Sequence, residues 1–444
     1  MTQDTYKELK DRATSYWETR SNGDTPLIRI GTAMCGHAAG AFRVADRVKT
    51  VLSERSIEAN LDEVGCLGLC YAEPLLDIKK PGRPRVFFNN VSSSDVEQII
   101  EDYLINDLLP ESKVLGYMGE GEVTESTGSM ENIPGIALQN RIALRNAGHT
   151  APGDILQYIA TGGYSGLYKA VTSMESSEVI DEVKNSGLRG RGGAAFPTGV
   201  KWSFLVGAPG PTKYILCNCE EGDPGAYNDK GILESDPHTL LEGLAIAGYA
   251  TGASNGIVFI RHGHDGPINR TEKAISEAYE NGLLGENIFG SDFSFDIEVA
   301  LTGESYVAGE ETALMEAVEG KRSMPRFRPP FPAAFGVWGK PSNINNVKSL
   351  SYAPEIISKG AEWFSSIGVN QSTGTAIVCL SGDVNKPGLY EVPMGMTLGQ
   401  VVDDLGGGVS GGRKLKLLQT GGPLGGVLGP DSRDIHIDFD EMRS

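Results

Sequence analysis

Residues 213–230 read KYILCNCEEGDPGAYNDK, an apolar segment that runs into an acidic, glycine-containing loop. The apolar residues at 214–219 are typical of a buried β-strand. Helical segments follow at 239–253 and 267–284, and a second apolar segment, GIVFIRHG, lies between them at 256–263. Strands that alternate with helices predict a mostly parallel, helix-covered sheet, an α/β fold that binds ligands at the carboxyl ends of its strands.

The loop after the first strand carries the polar residues Asn218, Glu220, Glu221 and Asp223. Carboxylates that are clustered at the end of a buried strand repel one another, so their grouping indicates a binding task. The alternative is a solvated acidic turn, and the loop alone does not decide between them.

A glycine-rich loop precedes this strand, with the sequence NSGLRGRGGAAFPTGVKWSF at 185–204. Its glycines allow backbone amides to approach an anion closely, and Arg189, Arg191 and Lys201 supply positive charge. The pattern matches neither the dinucleotide fingerprint nor the P-loop. On these residues alone the loop is either a cofactor cradle or a solvated basic turn.

Two further polar loops follow later in the chain. In LTGESYVAGEETALMEAVEGKRSMPRFRPPFP, at 301–332, Glu310 and Glu311 open a helix, where carboxylates suit the helix dipole. In KPSNINNVKS, at 340–349, asparagine side chains can both donate and accept hydrogen bonds. In a doubly wound sheet we expect these loops to converge on one pocket.

The segments outside this block predict smaller units. Residues 26–105 give strand, helix, strand, a strand pair and a helix, the order of a thioredoxin-like domain. From 109 to 150 no periodicity is clear, which indicates a connecting arm. After 373, a strand pair, a capped helix and the strand KLKLLQTGG predict a β-grasp-like module. We therefore divide the chain into domains at 1–108, 151–370 and 371–444, with an arm at 109–150.

Composition restricts the functional class. The 444 residues carry a formal net charge of -19, which argues against binding nucleic acid, since that needs clustered Lys and Arg. No apolar run approaches the roughly 20 residues that cross a bilayer, so we expect no direct membrane span. The start, MTQDTYKELKDRATSYWETR, is a charged amphipathic helix rather than a signal sequence. A cytoplasmic location follows, free or at the periphery of a membrane complex.

Four strings in this order resemble one family. They are GLRGRGGAAFPTGVKW, CNCEEGDPGAYNDKGILESDPHTLLEGLAIAGYA, GEETALMEAVEGKR and PPFPAAFGVWGKPSNINNV. The chain resembles the FMN-binding subunit of respiratory complex I and its relatives in NAD-linked formate dehydrogenases and hydrogenases. The resemblance implies a Rossmann-like FMN/NADH-binding domain, a thioredoxin-like ferredoxin domain and an SLBB-like β-grasp domain.

The resemblance also implies residue roles. For FMN it implies Gly190, Arg191, Gly192, Lys201, Asn218, Glu220, Tyr306, Gly309, Glu310, Asn345, Asn346 and Ser349. For NADH it implies Phe196, Phe204, Asp223, Glu311, Arg328 and Phe331. The candidate catalytic residues are Glu220, Asp223 and Glu310. The implied chemistry is hydride transfer between NADH and FMN, followed by one-electron transfer to iron–sulfur centres. The implied partners are other subunits of an electron-transfer complex, including a ferredoxin-like iron–sulfur subunit.

The cysteines match the family only in part. Cys35, Cys66 and Cys70 are the candidate ligands of a two-iron cluster, but Gly40 stands where the family has a further cysteine. Three thiolates do not complete a four-cysteine site, and His37 is the candidate fourth ligand in the same loop. The alternative is a retained fold with an empty site. Cys217, Cys219 and Cys379 are expected to fill the core.

Other positions also differ from the family. Glu220 replaces an aspartate, Ala308 replaces a cysteine, Lys348 replaces a glutamate, and Glu304 stands where a small residue is usual. The family continues into a domain with a four-iron cluster, and the sequence up to Ser444 has no C-x-x-C-x-x-C motif.

These features leave three functional hypotheses. The first is an NADH-oxidising, or NAD-reducing, FMN-containing subunit. The second is a non-catalytic scaffold paralogue. The third is a flavin site that exchanges electrons with another carrier.

Overall fold

The computed structural model describes residues 1–110, 112–121, 127–303 and 305–443. The chain begins with helix α1, Gln3–Asn22, which Thr2 caps by accepting a hydrogen bond from the Thr5 backbone N–H. Tyr6, Leu9 and Ala13 are its buried residues. They share one face because residues three and four apart lie one above the other on a helix. The predicted amphipathic helix is therefore confirmed.

The amino-terminal unit is a sheet with strand order β2-β1-β3-β4-β5, in which β1 and β2 are parallel and the other pairs antiparallel. Its elements are β1 Leu27–Gly31, α2 Met34–Ala39, α3 Ala41–Glu54, β2 Asn60–Val64, β3 Leu76–Lys79, β4 Arg85–Phe88, α4 Val96–Ile99, β5 Val114–Met118 and α5 Pro134–Ala137. A π-helical segment, Ile100–Ile105, extends α4. The apolar face of α3 packs against this sheet in a core of its own.

The predicted arm at 109–150 is more ordered than its sequence indicates. Val114–Met118 pairs with β4 as the edge strand of the amino-terminal sheet. Farther along, the buried carboxylate of Glu391 accepts hydrogen bonds from the backbone N–H groups of Ile142, Ala143 and Leu144. Periodicity misses both features because a short edge strand and a loop tied by a distant carboxylate leave no repeating apolar pattern.

The central unit contains the parallel sheet that the sequence predicts, with strand order β8-β7-β6-β9. Its elements are α6 Ile155–Ala160, α7 Ser165–Ser173, α8 Ser176–Asn185, α9 Thr198–Val206, β6 Tyr214–Cys219, α10 Asn228–Ser235, α11 Pro237–Thr251, β7 Asn255–Arg261, α12 Asp265–Glu280, β8 Asp296–Thr302, α13 Glu311–Val318, β9 Ser342–Asn346, α14 Val347–Ser351, α15 Ala353–Lys359 and α16 Ala361–Ser365.

Helices cover both faces of this sheet. The almost completely buried α11 lies in the large core on one face, and α13 contributes to a smaller core on the other. The doubly wound α/β prediction is confirmed. Cys217 and Cys219 are fully buried in β6, as expected of core residues, whereas Cys379 is half-buried.

The carboxyl-terminal unit contains the expected antiparallel pair and capped helix. Its elements are β10 Gly368–Val369, β11 Ser372–Thr373, β12 Thr375–Leu380, β13 Gly388–Pro393, α17 Leu398–Gln400, β14 Leu418–Gln419 and β15 Val427–Leu428. Thr397 and Gln400 form a reciprocal capping box at the start of α17. The predicted strand KLKLLQTGG is reduced to Leu418–Gln419, because only these residues pair with another strand. Within the described ranges, no helix is both long and apolar enough to cross a membrane.

Candidate functional site

The predicted pocket lies at the carboxyl ends of β6 and β9, which are neighbouring parallel strands. Their register pairs Cys217 with Asn345 and Asn218 with Asn346. Asn218, next to the last residue of β6, and Asn346, the last residue of β9, therefore lie side by side at the sheet edge where ligands bind in this class of fold. The structure thus brings together two of the loops that the sequence singles out.

The glycine-rich loop lies against this edge and is fixed to it. The backbone N–H of Arg191 donates a hydrogen bond to Ser349 Oγ at 2.9 Å, and the N–H of Gly190 closes the loop on the Phe196 carbonyl at 2.8 Å. A Cβ atom at Gly192 would lie 3.2 Å from Asn346 Cβ, which is a tight contact. Glycine at this position allows the loop to approach the end of β9.

The two arginines of this loop do not direct their charge into the pocket, so the expectation from sequence is wrong for their side chains. The guanidinium carbons of Arg189 and Arg191 lie 4.8 Å and 5.0 Å from the centre of the Phe439 ring. Arg191 also donates to the Thr373 carbonyl at 2.6 Å. Cation–π contacts and this hydrogen bond hold the loop against the carboxyl-terminal unit, while the backbone of Arg191 stays at the pocket edge.

An ion-pair network joins the loop at 301–332 to the helix that follows the glycine-rich loop. Lys201 Nζ lies 3.2 Å from Glu311 Oε2, and Arg328 contacts both Glu311 and Glu310. Glu310 Oε2 also accepts hydrogen bonds from the backbone N–H groups of Thr312 and Ala313 in the first turn of α13. Burial alone would raise the pKa of Glu310, but these hydrogen bonds, the Thr312 hydroxyl and the Arg328 charge outweigh it, so the pKa is lowered. Glu310 is therefore both a helix cap and a partner of Arg328.

The same loop also contacts the end of β6. Asn218 Nδ2 donates to the Gly309 carbonyl at 2.7 Å, and the Tyr306 hydroxyl donates to Asp223 Oδ1 at 2.7 Å. The hydrogen bond to Asp223 raises the pKa of Tyr306. These contacts confirm the convergence of the loops, because they join residues that are more than 80 positions apart in sequence.

The three clustered carboxylates have separate tasks, contrary to the expectation that they share one. Glu220 pairs with Arg261 at the end of β7. Glu221 is buried and accepts hydrogen bonds from the backbone N–H groups of Asn228, Asp229 and Lys230 at the start of α10. Glu221 is thus a helix cap, while Glu220 and Asp223 stay with the pocket residues.

The asparagines at the end of β9 are held by buried partners. Asn345 Oδ1 accepts from the Trp202 indole N–H at 3.2 Å, and Asn346 Nδ2 donates to Asp229 Oδ2 at 2.6 Å. Lys348 Nζ lies 2.7 Å from the other oxygen of Asp229, and both residues are buried. The carboxylate thereby holds Asn346, and Lys348 compensates its charge. Sequence reasoning did not find Asp229, although it lies at the start of α10, directly after the acidic loop.

The predicted dinucleotide aromatics are exposed, and two of them are neighbours. The ring centres of Phe196 and Phe204 are 6.0 Å apart, and both side chains are about half exposed. Phe331 is exposed as well. Exposed aromatic rings are unfavourable in water and supply flat surfaces on which an aromatic ligand can stack. Glu304, at which the sequence differs from the family, lies outside the described residues.

The pocket fits a phosphate-bearing flavin in two respects. The hydroxyl of Thr198 is buried and has no hydrogen-bond partner among the described residues. Thr198 opens helix α9, and Lys201 lies one turn farther along it, so partial positive charge and a cation are next to this free hydroxyl. Gly192 provides the close backbone approach described above. Thr198 was not predicted, because a lone threonine in a glycine-rich segment gives no distinct signal.

The candidate metal ligands lie in the amino-terminal unit. The Sγ atoms of Cys35, Cys66 and Cys70 all lie within 4.8 Å of one another. Glu73 Oε1 lies 3.9 Å from Cys35 Sγ, whereas the His37 ring packs edge-on against Phe42 and is exposed. The three thiols alone do not supply the four cysteine ligands of the family cluster. Sequence reasoning missed Glu73, which the fold brings to the thiols.

Comparisons with known proteins define the class. Residues 183–355 match the Nuo51 FMN-binding domain, and residues 377–428 match the SLBB domain. The first range includes the glycine-rich loop, the end of β6 and the end of β9. The chain therefore contains an FMN-binding domain of this type joined to an SLBB domain.

Several relatives specify the family. The chain is 50% identical over 304 residues to the NADP-reducing hydrogenase subunit HndC of Solidesulfovibrio fructosivorans, covering 68% of this chain and 62% of that protein. It is 47% identical over 285 residues to an NADH-quinone oxidoreductase subunit of Rhizobium meliloti, covering 64% of this chain and 68% of that protein. This chain belongs to the family of NADH-quinone oxidoreductase subunits that contain the Nuo51 FMN-binding domain.

A solved structure supports the same relationship. An NAD⁺-reducing [NiFe]-hydrogenase in the H2-reduced state aligns with 98% of this chain and 69% of that chain, at a TM-score of 0.59 and 27% identity. In the sequence matches, the chain spans about two thirds of the length of the first relatives.

Proposed function

We propose that this chain binds FMN and NAD(H) and transfers hydride between them as the flavoprotein subunit of a multisubunit electron-transfer complex. The observation that carries the proposal is the convergence of four separate loops on the ends of β6 and β9, in a chain that belongs to this family. Lys201, Asn218, Glu310 and Asn346 come from these four loops.

In this proposal the FMN site has two parts. Gly190, Gly192, Lys201 and the free hydroxyl of Thr198 contact the phosphate side, because they combine close backbone approach with positive charge. The remaining FMN-site residues lie around the ring and the ribityl chain. Each of them either contacts FMN or holds a contacting residue in place: Arg191, Asn218, Glu220, Tyr306, Gly309, Glu310, Asn345, Asn346 and Ser349. Asn345 and Arg191 act as supports, since their side chains are bonded within the protein.

NADH binds at the outer side of the pocket. Phe196, Phe204 and Phe331 offer the exposed rings for the adenine. Asp223, Glu311 and Arg328 supply hydrogen-bonding groups near them, and the ion pairs between Glu311 and its cationic neighbours hold these groups in place. We assign Glu220, Asp223 and Glu310 as the residues that orient the two ligands.

Bound FMN, held by the residues named above, would supply the redox chemistry: hydride exchange with the nicotinamide and one-electron exchange with iron–sulfur centres. The chain itself aligns the two rings and excludes water between them. The partners in this proposal are NADH and the iron–sulfur subunits of a complex, with a location in the cytoplasm or at the periphery of a membrane complex.

Reduction of the bound flavin by NADH tests the proposal. The purified chain is loaded with FMN under argon, and flavin absorbance at about 450 nm is followed after NADH is added. We expect NADH to lower the flavin absorbance of the native chain. In the Lys201→Ala variant we expect a smaller loss of absorbance. FMN binding without bleaching by NADH, but with bleaching by reduced ferredoxin, would favour another electron carrier. Absence of FMN binding would favour the scaffold hypothesis.

A further inference from the structure

A cavity of about 550 Å³ lies between the carboxyl-terminal part of α1 and the amino-terminal sheet. Trp17 of α1 lines it, and so do Arg29, Lys79 and Arg85, which belong to the neighbouring strands β1, β3 and β4. In the register of these strands Arg29 lies opposite Asp77 and Lys79 lies opposite Arg85, so these side chains share one face of the sheet. A cavity of this volume can hold a small organic ligand.

The lining of this cavity is basic, and we call it the basic cavity. Among the described residues that line it, Glu120 is the one acidic side chain. Two carboxylates pair with its cations from outside the lining: Asp107 with Arg83, and Asp77 with both Arg29 and Arg85. These three carboxylates are outnumbered by the cations of the lining, which are Arg29, Lys79, Arg83 and Arg85.

Arg29 is buried and incompletely paired. The Nε and Nη2 atoms of Arg85 donate to the two carboxylate oxygens of Asp77, each at 2.5 Å, whereas Arg29 Nη1 reaches Oδ1 at 3.3 Å. Arg29 is 4% exposed, and its buried Nε has no hydrogen-bond partner among the described residues. A buried charged group that lacks partners is costly. An anion in the basic cavity would compensate the charge of this guanidinium.

Lys79 shows the same lack of compensation. Its Nζ donates to Asn22 Oδ1 at 2.6 Å and forms no ion pair with a described residue. Burial and the charges of Arg29 and Arg85 lower the pKa of Lys79, and burial and the charge of Arg85 lower the pKa of Arg29 to about 10. The cations of the lining therefore repel one another, and a bound anion would relieve this repulsion.

We propose that the basic cavity is a second ligand site, which binds a phosphorylated small molecule with its phosphate oxygens at Arg29 and Lys79. A phosphate group suits this lining, because a guanidinium presents several N–H donors in one plane and an ammonium adds a compact positive charge. Trp17 borders the space that remains for the organic part of the ligand. The proposal does not depend on the flavin site, because the two sites have no residue in common.

Isothermal titration calorimetry of the full chain tests the proposal. Pyrophosphate and ADP are the two probes, and FMN is present in excess so that it occupies the flavin pocket. We expect both probes to bind the native chain. Tighter binding of ADP would support a ligand whose organic part also contacts the cavity, whereas equal affinities would support recognition of the phosphate groups alone.

Two substitutions assign the binding to the basic cavity. Arg29→Met and Lys79→Met each remove one cation, so we expect the affinity for both probes to fall roughly tenfold or more. Lys49→Met is the matched control, because Lys49 lies outside the lining in a half-exposed ion pair with Glu63. It should bind both probes as the native chain does.

Far-UV circular dichroism reports whether each variant folds. Lys79 is half-buried, so Lys79→Met keeps the test decisive if Arg29→Met does not fold. The proposal is overturned if neither probe binds the native chain, or if the folded variants bind both probes with the native affinity. Because the comparison is between variants of the cavity, its result is the same whether or not FMN binds.

Discussion

The pocket at the end of β6 and the cysteine site differ in how their charges are compensated. In the pocket, Glu311 pairs with both Lys201 and Arg328, and Asp229 pairs with Lys348. At the cysteine site, the thiols and Glu73 face each other, and no cation of the described residues pairs with Glu73. The comparison teaches that the pocket balances its charges with ion pairs inside the protein, whereas the cysteine site concentrates thiols and a carboxylate that have no such cation partner among the described residues.

The largest expected effect comes from breaking the buried pair below the pocket. Lys348→Met leaves Asp229 buried without its cation, so we expect the free energy of unfolding to fall by about 3–5 kcal/mol. Chemical denaturation of the purified variant measures the change. Lys359→Met is the matched control, because Lys359 is half exposed and its partner Glu355 keeps a second ion pair with Arg145, so stability should change by less than about 1 kcal/mol. Equal effects of the two substitutions would contradict a pocket built on internal pairs.

A second substitution fills the close approach between the glycine-rich loop and β9. Gly192→Leu adds a side chain where even a Cβ would lie 3.2 Å from Asn346. Overpacking costs about 1–3 kcal/mol, so we expect FMN affinity to fall roughly 10- to 100-fold. Titration of FMN fluorescence measures the dissociation constant. At Gly207 an added Cβ meets no atom within 4 Å, so Gly207→Ala should bind FMN as the native chain does.

Glu310 gives a pH-dependent effect. Glu310→Ala removes the cap of α13, so we expect a loss of about 1 kcal/mol at pH 7. The folded-state pKa of Glu310 lies below its ordinary value of 4.5, so its contribution is present above pH 4.5 and is lost as pH falls through the folded-state pKa.

Thermal unfolding of native chain and variant between pH 3 and pH 7 therefore should show a difference that shrinks in acid. Glu362→Ala is the control, because Glu362 is exposed in the first turn of α16 and does not cap that helix. A difference that is constant or grows toward low pH would contradict the assignment.

The smallest expected effect is a change in the KM for NADH when an exposed aromatic ring of the proposed NADH site is removed. Phe204→Ala removes one of the two neighbouring rings, and an aromatic contact is worth about 0.5–1.5 kcal/mol. We expect KM for NADH to rise by roughly two- to tenfold, with FMN affinity unchanged. Steady-state reduction of an artificial acceptor measures KM. Phe327 is 97% exposed, so Phe327→Ala should leave KM unaltered. An unchanged KM in Phe204→Ala would remove this ring from the proposed NADH site.

The sequence predicts the central fold well, because its signal is local. The apolar strand at 214–219 and the helices around it follow from periodicity, and the order of elements then places the loops at one sheet edge. The edge strand Val114–Met118 could not be predicted, since its pairing with β4 is its main support.

Side-chain partners were harder to predict than their positions. The arginines at 189 and 191 belong to a glycine-rich loop in sequence, but Phe439, about 250 positions away, decides where they point. Glu73 likewise reaches Cys35 only through the packing of the amino-terminal sheet. Contacts of this kind depend on distant segments, and no local pattern records them.

Hydrogen exchange measured by mass spectrometry, with and without FMN, tests the central claim most directly. If the converging loops form the flavin site, FMN should slow exchange in peptides that cover 186–206 and 342–351. Peptides that cover 66–73 should keep their exchange rates, because the cysteine site is separate. Slowed exchange at 66–73 alone, or no change at 186–206 and 342–351 with FMN bound, would contradict the account.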